Sequence, residues 1–286
     1  SSNLIDGKPI YYYVDQPDLR LVSLQPGMIY CVNCPNALIA NNSFNSPNGG
    51  IVVLFTRNAS IEYNAIRETK QRYKLGGIML SPGFTEADGS DYVKIKNNFL
   101  DGCYNGIRIA GVYWDYAVGN EVTGNVIRNT FGVAVSLGYF VTNLLVTRNT
   151  ISRATVGMSL SGGTTIDAEV KQNTIADCRY GLQLIYGSGV RFFHNQVIRS
   201  SRYAVFVDNP PAEISFDLQG NYWGRSERPW FIPTVDSNDA RVKDSCPYNR
   251  FYAEGKWPAS PACLHAVTPP VSADSAPRRK PAAKLA

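Results

Sequence analysis

Apolar residues recur along this chain at a fixed offset from asparagine. The pattern is an apolar position, two others, Asn, one other, then a second apolar position. It reads Ile39/Asn42/Phe44, Ile61/Asn64/Ile66, Ile95/Asn98/Leu100 and Val122/Asn125/Ile127. It continues as Val146/Asn149/Ile151, Val170/Asn173/Ile175, Phe192/Asn195/Val197 and Leu218/Asn221/Trp223. Successive Asn lie 22, 34, 27, 24, 24, 22 and 26 residues apart. A second segment follows most of them, a small residue and then alternating apolar positions. It occurs at Gly50-Ile51, Gly77-Ile78, Gly106-Ile107, Gly132-Val133, Gly157-Met158, Gly181-Leu182 and Ala204-Val205.

Alternation with period two predicts two or three short strands per repeat, separated by turns. A unit of about 24 residues cannot bury an apolar face alone, so the units must stack. Each repeat is therefore predicted to be one coil of a parallel β-solenoid. The positions three before and two after each Asn point inward. The Asn itself is expected to turn the chain in a left-handed conformation. Its amide is expected to bond the Asn of the next coil, so that a ladder satisfies the buried polar groups. Leucine-rich repeats need a Leu-dense consensus that is missing, and helical repeats need a 3.6-residue period, also missing. Eight coils at about 4.8 Å each give a rod of roughly 38 Å. Asn3-Leu4-Ile5 reads as the end of one more copy, so the chain is expected to open in mid-coil, as a fragment or processed form.

Composition agrees with an all-β reading. The 286 residues include 17 Tyr and 12 Phe but only 3 Met and 2 His, and charged residues make up 18%. The 24 Gly and 17 Pro have no collagen period, and 44% apolar content excludes a mostly disordered chain. The net charge of +5 comes from Lys and Arg scattered among acids, which gives no nucleic-acid footprint. No apolar run reaches the roughly 18–20 residues of a transmembrane helix.

Three segments and the repeat itself carry a family resemblance. The segments are Asp6-Gly7-Lys8-Pro9-Ile10-Tyr11-Tyr12, Cys31-Val32-Asn33-Cys34-Pro35-Asn36, and Asn221-Tyr222-Trp223-Gly224 with the later Val235-Asp236-Ser237-Asn238-Asp239. With the repeated Asn-x-Ile and Asn-Gly-Ile or Tyr-Gly-Leu segments, they resemble the right-handed parallel β-helix of the pectin-lyase-like superfamily. The narrower resemblance is to its NosD-like branch, a domain class shared by carbohydrate-binding proteins and sugar hydrolases. It implies a single right-handed β-helix of about eight to nine coils over residues 1–224. Residues 225–263 have no repeat and are expected to cap the open end, which would otherwise expose a strand edge. Residues 264–286, rich in Ala, Pro and basic residues, are expected to be a disordered tail. The fold hosts lyases, hydrolases, epimerases, adhesins and non-enzymes, so function must be argued from a site.

Six cysteines constrain the setting. Cys246 and Cys263 flank the expected cap, where a disulfide would staple it in a secreted, cell-surface or periplasmic protein. Cys103 and Cys178 lie three coils apart, too far to bridge, and read as inward turn residues. Met28, Cys31 and Cys34 form a soft-ligand string suited to copper. Residues three apart on an extended strand point to opposite faces, however, which favours packing. No cofactor is expected: calcium or copper would need a ligand cluster that the sequence does not supply.

The strand before each ladder Asn is expected to present its minus-four and minus-two residues to solvent, with Glu62 over Lys96 and Lys94 over Glu121 pairing across coils. The strand after the small residue presents Val52/Leu54, Met79/Ser81, Arg108/Ala110, Ala134/Ser136, Ser159/Ser161, Gln183/Ile185 and Phe206/Asp208. That face is nearly uncharged and suits either self-association or a shallow cleft. The loops after it carry Gly111-Val112-Tyr113-Trp114-Asp115-Tyr116, then Tyr139-Phe140, then Tyr186. Coil stacking brings these loops to one edge. Aromatics with a few polar groups form the usual ligand-site pattern, with polysaccharide as the expected partner. Tyr113, Trp114, Tyr116, Tyr139 and Tyr186 are its candidate contacts. The same aromatics would otherwise pack on one another and stiffen the loops. If the protein is an enzyme, a lyase or glycoside hydrolase, Asp115 is the candidate acid or base, Arg108 the neutralising cation, and Glu121 or Glu86 a second carboxylate. A NosD-like accessory role in copper-centre maturation and a structural adhesion role are the alternatives.

Overall fold

In the computed structural model the described residues are 3–45, 49–67, 77–80, 89–111, 116–161, 167–186, 188–207, 215–218, 220–223 and 230–231. They form an all-β parallel solenoid. Three long sheets run its length: an eleven-stranded sheet built from the segments after the small residue, a nine-stranded sheet before the ladder Asn, and a seven-stranded sheet after it. They are called here the Gly-strand, pre-Asn and post-Asn sheets. Pairing is parallel throughout except where Leu4–Ile5 folds back on Lys8–Val14. A two-stranded pair, Ala117–Val118 with Val141–Thr142, bridges one corner.

The inward columns are the ones that the sequence period predicts. Ile39, Ile61, Ile95, Val122, Val146, Val170 and Phe192 stack in register on the pre-Asn sheet. Phe44, Ile66, Leu100, Ile127, Ile151, Ile175 and Val197 do so on the post-Asn sheet. All are fully buried. At the C-terminal end the core widens to aromatic side chains, where Phe192 and Trp223 stack with ring centroids 5.9 Å apart.

The eight Asn form a continuous buried ladder. Each side-chain amide donates to the carbonyl oxygen of the next Asn at 2.9–3.0 Å, from Asn42 through Asn64, Asn98, Asn125, Asn149, Asn173 and Asn195 to Asn221. That same oxygen also accepts the backbone N–H of the preceding Asn, as in Asn98 N–H to Asn125 at 2.9 Å. The second amide proton goes to a backbone carbonyl of the coil before, as in Asn125 to Ile95 at 2.9 Å. The top of the stack is closed by Leu24 N–H, which donates to Asn42. Every hydrogen-bonding site of an internal amide is thus used, which is what makes its burial tolerable.

The turn itself differs from expectation. The left-handed residue is the one before each ladder Asn: Asn41, Tyr63, Asn97, Gly124, Arg148, Gln172, His194 and Gly220 all have φ between 53° and 67°. Each ladder Asn then keeps an ordinary backbone, and its side chain is free to point along the axis into the next coil.

A second difference concerns register. Ile107 pairs with Val135, and Arg108 with Ser136. Ala134, not Gly132, therefore continues the small-residue column, and Ala134 is buried where an outward position was expected. The column must stay small because coils approach closely there. A Cβ on Gly50 would sit 2.6 Å from the Gly77 carbonyl oxygen, and one on Gly181 would sit 2.7 Å from that of Ala204. Other positions expected to face outward are also covered: Val52, Ala110, Thr147 and Ser159 are buried by neighbouring coils.

Cys31 and Cys34 both lie in the core, which corrects the opposite-face expectation. Asn33, with φ of 50°, turns the chain between them and breaks the alternation. Burial pushes the Cys31 thiol up to about 12, helped by the adjacent Cys34. Burial likewise raises Cys178 to about 11. Such thiols are protonated packing groups at neutral pH. Cys31, Cys34, Cys103 and Cys178 are buried and form no disulfide among the described residues. Cys246 and Cys263 lie outside the described residues, as do the expected cap and tail from residue 232 onward.

Candidate functional site

The outer face of the Gly-strand sheet carries a register column of Tyr12, Tyr30, Val52, Met79, Arg108, Ser136, Ser159, Gln183 and Phe206. Arg108 is exposed and makes no ion pair among the described residues. Two ends of this face are aromatic. At the N-terminal end Tyr12 and Tyr30 lie 6.1 Å apart.

The middle coils hold the expected loop edge. Gly111 N–H donates to the Tyr139 carbonyl at 2.7 Å, and Ala117 N–H to that of Phe140 at 2.9 Å. Gly111 and Ala117, the two ends of the first loop, therefore both meet the turn at Tyr139 and Phe140. Tyr116 meets Phe140 edge-on at 5.7 Å, and Tyr139 lies 6.1 Å from Phe140. Part of the loop aromatic set thus packs on itself, as the stiffening alternative expects. Tyr139 is nevertheless 46% exposed. Tyr113, Trp114, Asp115 and Glu86 lie outside the described residues, and of Tyr186 only the backbone is described, at the end of the strand Tyr180–Tyr186.

Glu121 sits elsewhere. It projects from the pre-Asn sheet, not from the face that carries Arg108. Its expected register neighbour is Lys94, but its ion pair is the diagonal one, with Lys96 at 2.8 Å. Thr123 donates to its other oxygen at 3.1 Å. Partial burial would raise its pKa, but the Lys96 contact and the field of Lys94 more than offset this and hold it below the ordinary value. Asp101 behaves alike on the post-Asn sheet. Burial opposes ionisation there, but the Arg128 fork, at 2.8 and 3.0 Å, and Asn129 lower its pKa. Glu169 and Asp177 are also lowered, by Lys171 and Arg199 respectively. These four carboxylates are thus structural anions, and none of them is tuned as a proton donor.

A pH dependence follows. A carboxylate with a lowered folded-state pKa stabilises the fold above its unfolded pKa, and that contribution drains as pH falls through the folded value. Melting temperature should therefore decline below about pH 4. Asp101→Asn should flatten the decline, and an unchanged acid slope in that variant would contradict the assignment.

One feature escaped sequence reasoning. Tyr180, Tyr203 and Phe206 cluster at the other edge of the Gly-strand face, in the later coils. Their ring centroids are 5.0–6.4 Å apart and their planes incline by 14–39°. The signal was a tetrapeptide repeated one coil apart, Arg179-Tyr180-Gly181-Leu182 and Arg202-Tyr203-Ala204-Val205. Among the described residues no group of three or more His, Cys, Asp or Glu is placed to hold a metal ion.

Comparison with known proteins agrees with this architecture. A family model described as a right-handed β-helix region matches residues 21–151 and 86–218. A tailspike protein of E. coli bacteriophage HK620, a double mutant in complex with a pentasaccharide, is similar in structure with a TM-score of 0.51 and 13% identity. The match covers 78% of this chain and 45% of the tailspike. The periplasmic alginate epimerase AlgG is similar with a TM-score of 0.50 and 16% identity, over 82% of this chain and 65% of the epimerase. The chain spans less than half the length of the tailspike and just under two thirds of the epimerase. No curated protein sequence matches it significantly. On the match over residues 21–218, the chain belongs to the right-handed β-helix family.

Proposed function

We propose that this protein is an extracytoplasmic β-helix that binds polysaccharide on the outer face of its Gly-strand sheet. The carrying observation is Tyr139, an aromatic ring left 46% exposed at the rim of that face although its neighbour Phe140 is packed. An exposed ring at the edge of a weakly charged surface suits the apolar C–H face of a pyranose. Arg108, exposed on the same face, suits a ligand carboxylate or hydroxyl. Tyr113, Trp114 and Tyr186 are proposed to extend the platform, and Asp115 with Arg108 is the proposed pair if the site also performs chemistry. Support from comparison is limited to the fold: a tailspike bound to a pentasaccharide and a periplasmic alginate epimerase share it.

A glycan array with the whole chain tests the reading. Tyr139→Ala should weaken oligosaccharide binding about tenfold and leave the melting temperature nearly unchanged. Undiminished binding by this variant would remove Tyr139 from the site. The absence of any glycan ligand for the wild-type chain would overturn the reading.

A further inference from the structure

We infer that Arg179, Tyr180, Arg202, Tyr203 and Phe206 form a subsite for an acidic glycan, one whose sugars carry carboxylates. This rests on the polysaccharide-binding reading and names the ligand class. The two Arg-Tyr pairs are brought together by register, since Tyr180 pairs with Tyr203 on adjacent coils. The guanidinium carbon of Arg202 lies 5.6 Å from the centroids of both tyrosine rings, and that of Arg179 lies 5.4 Å from Tyr180. Arg202 also donates to the Tyr180 hydroxyl at 2.6 Å, which leaves the phenol proton to point elsewhere.

Charge distinguishes this cluster from similar ones on the other sheets. Cations also cover Phe99 and Phe193, but there the stack contains its own counter-ion. Arg67 and Arg128 both cover Phe99, where Asp101 binds Arg128 and is the register partner of Arg67, and Lys171 and Arg191 over Phe193 are both bound by Glu169. Arg179 and Arg202 are exposed and have no carboxylate partner among the described residues. The nearest acid in sequence, Asp177, is engaged through both oxygens by Arg199 at 2.6 and 2.7 Å. Two guanidiniums without a carboxylate partner among the described residues, beside three aromatic rings, thus present what an acidic sugar needs. The planar forks suit a carboxylate, and the rings suit the apolar side of the pyranose. A membrane surface or a nucleic acid would require a broader basic field than two arginines.

The test is calorimetric titration of the whole chain with a uronic-acid hexamer and with the same hexamer fully methyl-esterified. The wild type should bind the acid form at least tenfold more tightly than the ester. Arg179→Gln with Arg202→Gln should remove that preference without changing affinity for the ester, at an unchanged melting temperature. If that double variant melts lower, Arg202→Lys keeps the charge and loses the fork. It should weaken acid binding several-fold, and full affinity in it would overturn the subsite. Equal wild-type affinity for acid and ester, or a double variant that keeps the preference, would overturn the inference and leave the polysaccharide reading standing. Failure to bind either hexamer or any array glycan would overturn both.

Discussion

Asn125→Ala should lower the unfolding free energy by about 2–6 kcal/mol, from two orphaned buried donors at about 1–3 kcal/mol each. The donors are the backbone N–H and side-chain amide of Asn98, both of which end on the Asn125 oxygen. The Ile95 carbonyl loses its amide partner as well. No water can enter easily, because Asn98 and Asn125 are both essentially sealed. Asn45→Ala is the control: Asn45 is exposed at the end of the strand Ser43–Asn45, and its backbone is not left-handed. Urea unfolding of the two variants separates buried from surface amide, and similar midpoints would refute the ladder as a stabilising device. The loss should also be local in origin, since each coil touches only its neighbours.

Ile151→Ala should cost about 2–5 kcal/mol through cavity formation. Ile151 is fully buried and sits in register between Ile127 and Ile175. Neither neighbour can collapse far into the gap, because strand pairing on both sides fixes its backbone. Urea unfolding measures the loss, and a negligible change would contradict core placement. Thr150→Ala, at the exposed neighbouring position, should leave stability almost unchanged.

Much of the architecture was readable because a solenoid imposes one demand repeatedly. Ile61, Val122 and Ile175 meet the same environment in different coils, so one pattern exposes them all. The left-handed corner was misplaced by one residue for the opposite reason. Its occupants include Tyr63, Arg148, Gln172 and Gly220, which share a backbone angle but no chemistry. Gly132 misled because it resembles the small-residue column while Ala134 holds the place. Cys31 and Cys34 misled because period-two reasoning assumes an unbroken strand, and Asn33 breaks it. The site was harder to read. The loop edge at Tyr116 and Tyr139 follows from stacking, yet which ring packs and which stays outside depends on contacts such as Phe140 that no local pattern encodes. The Tyr180–Tyr203 pair depends on a register between residues 23 apart, which only assembled coils display.

The ladder also has a consequence for how such a protein can change. Asn64 and Asn98 are 34 residues apart, whereas Asn173 and Asn195 are 22 apart, yet both steps close with the same bond. The rod counts coils rather than residues. Extra length is admitted between paired strands, and in the longer repeat Phe99 still finds Ala65 and Met79 still finds Val52. A corner can therefore be rewritten as a replaceable cassette without renegotiating the core. Specificity on this scaffold can drift coil by coil, and a graft of a foreign loop should be judged by whether its two ends return to the same rung.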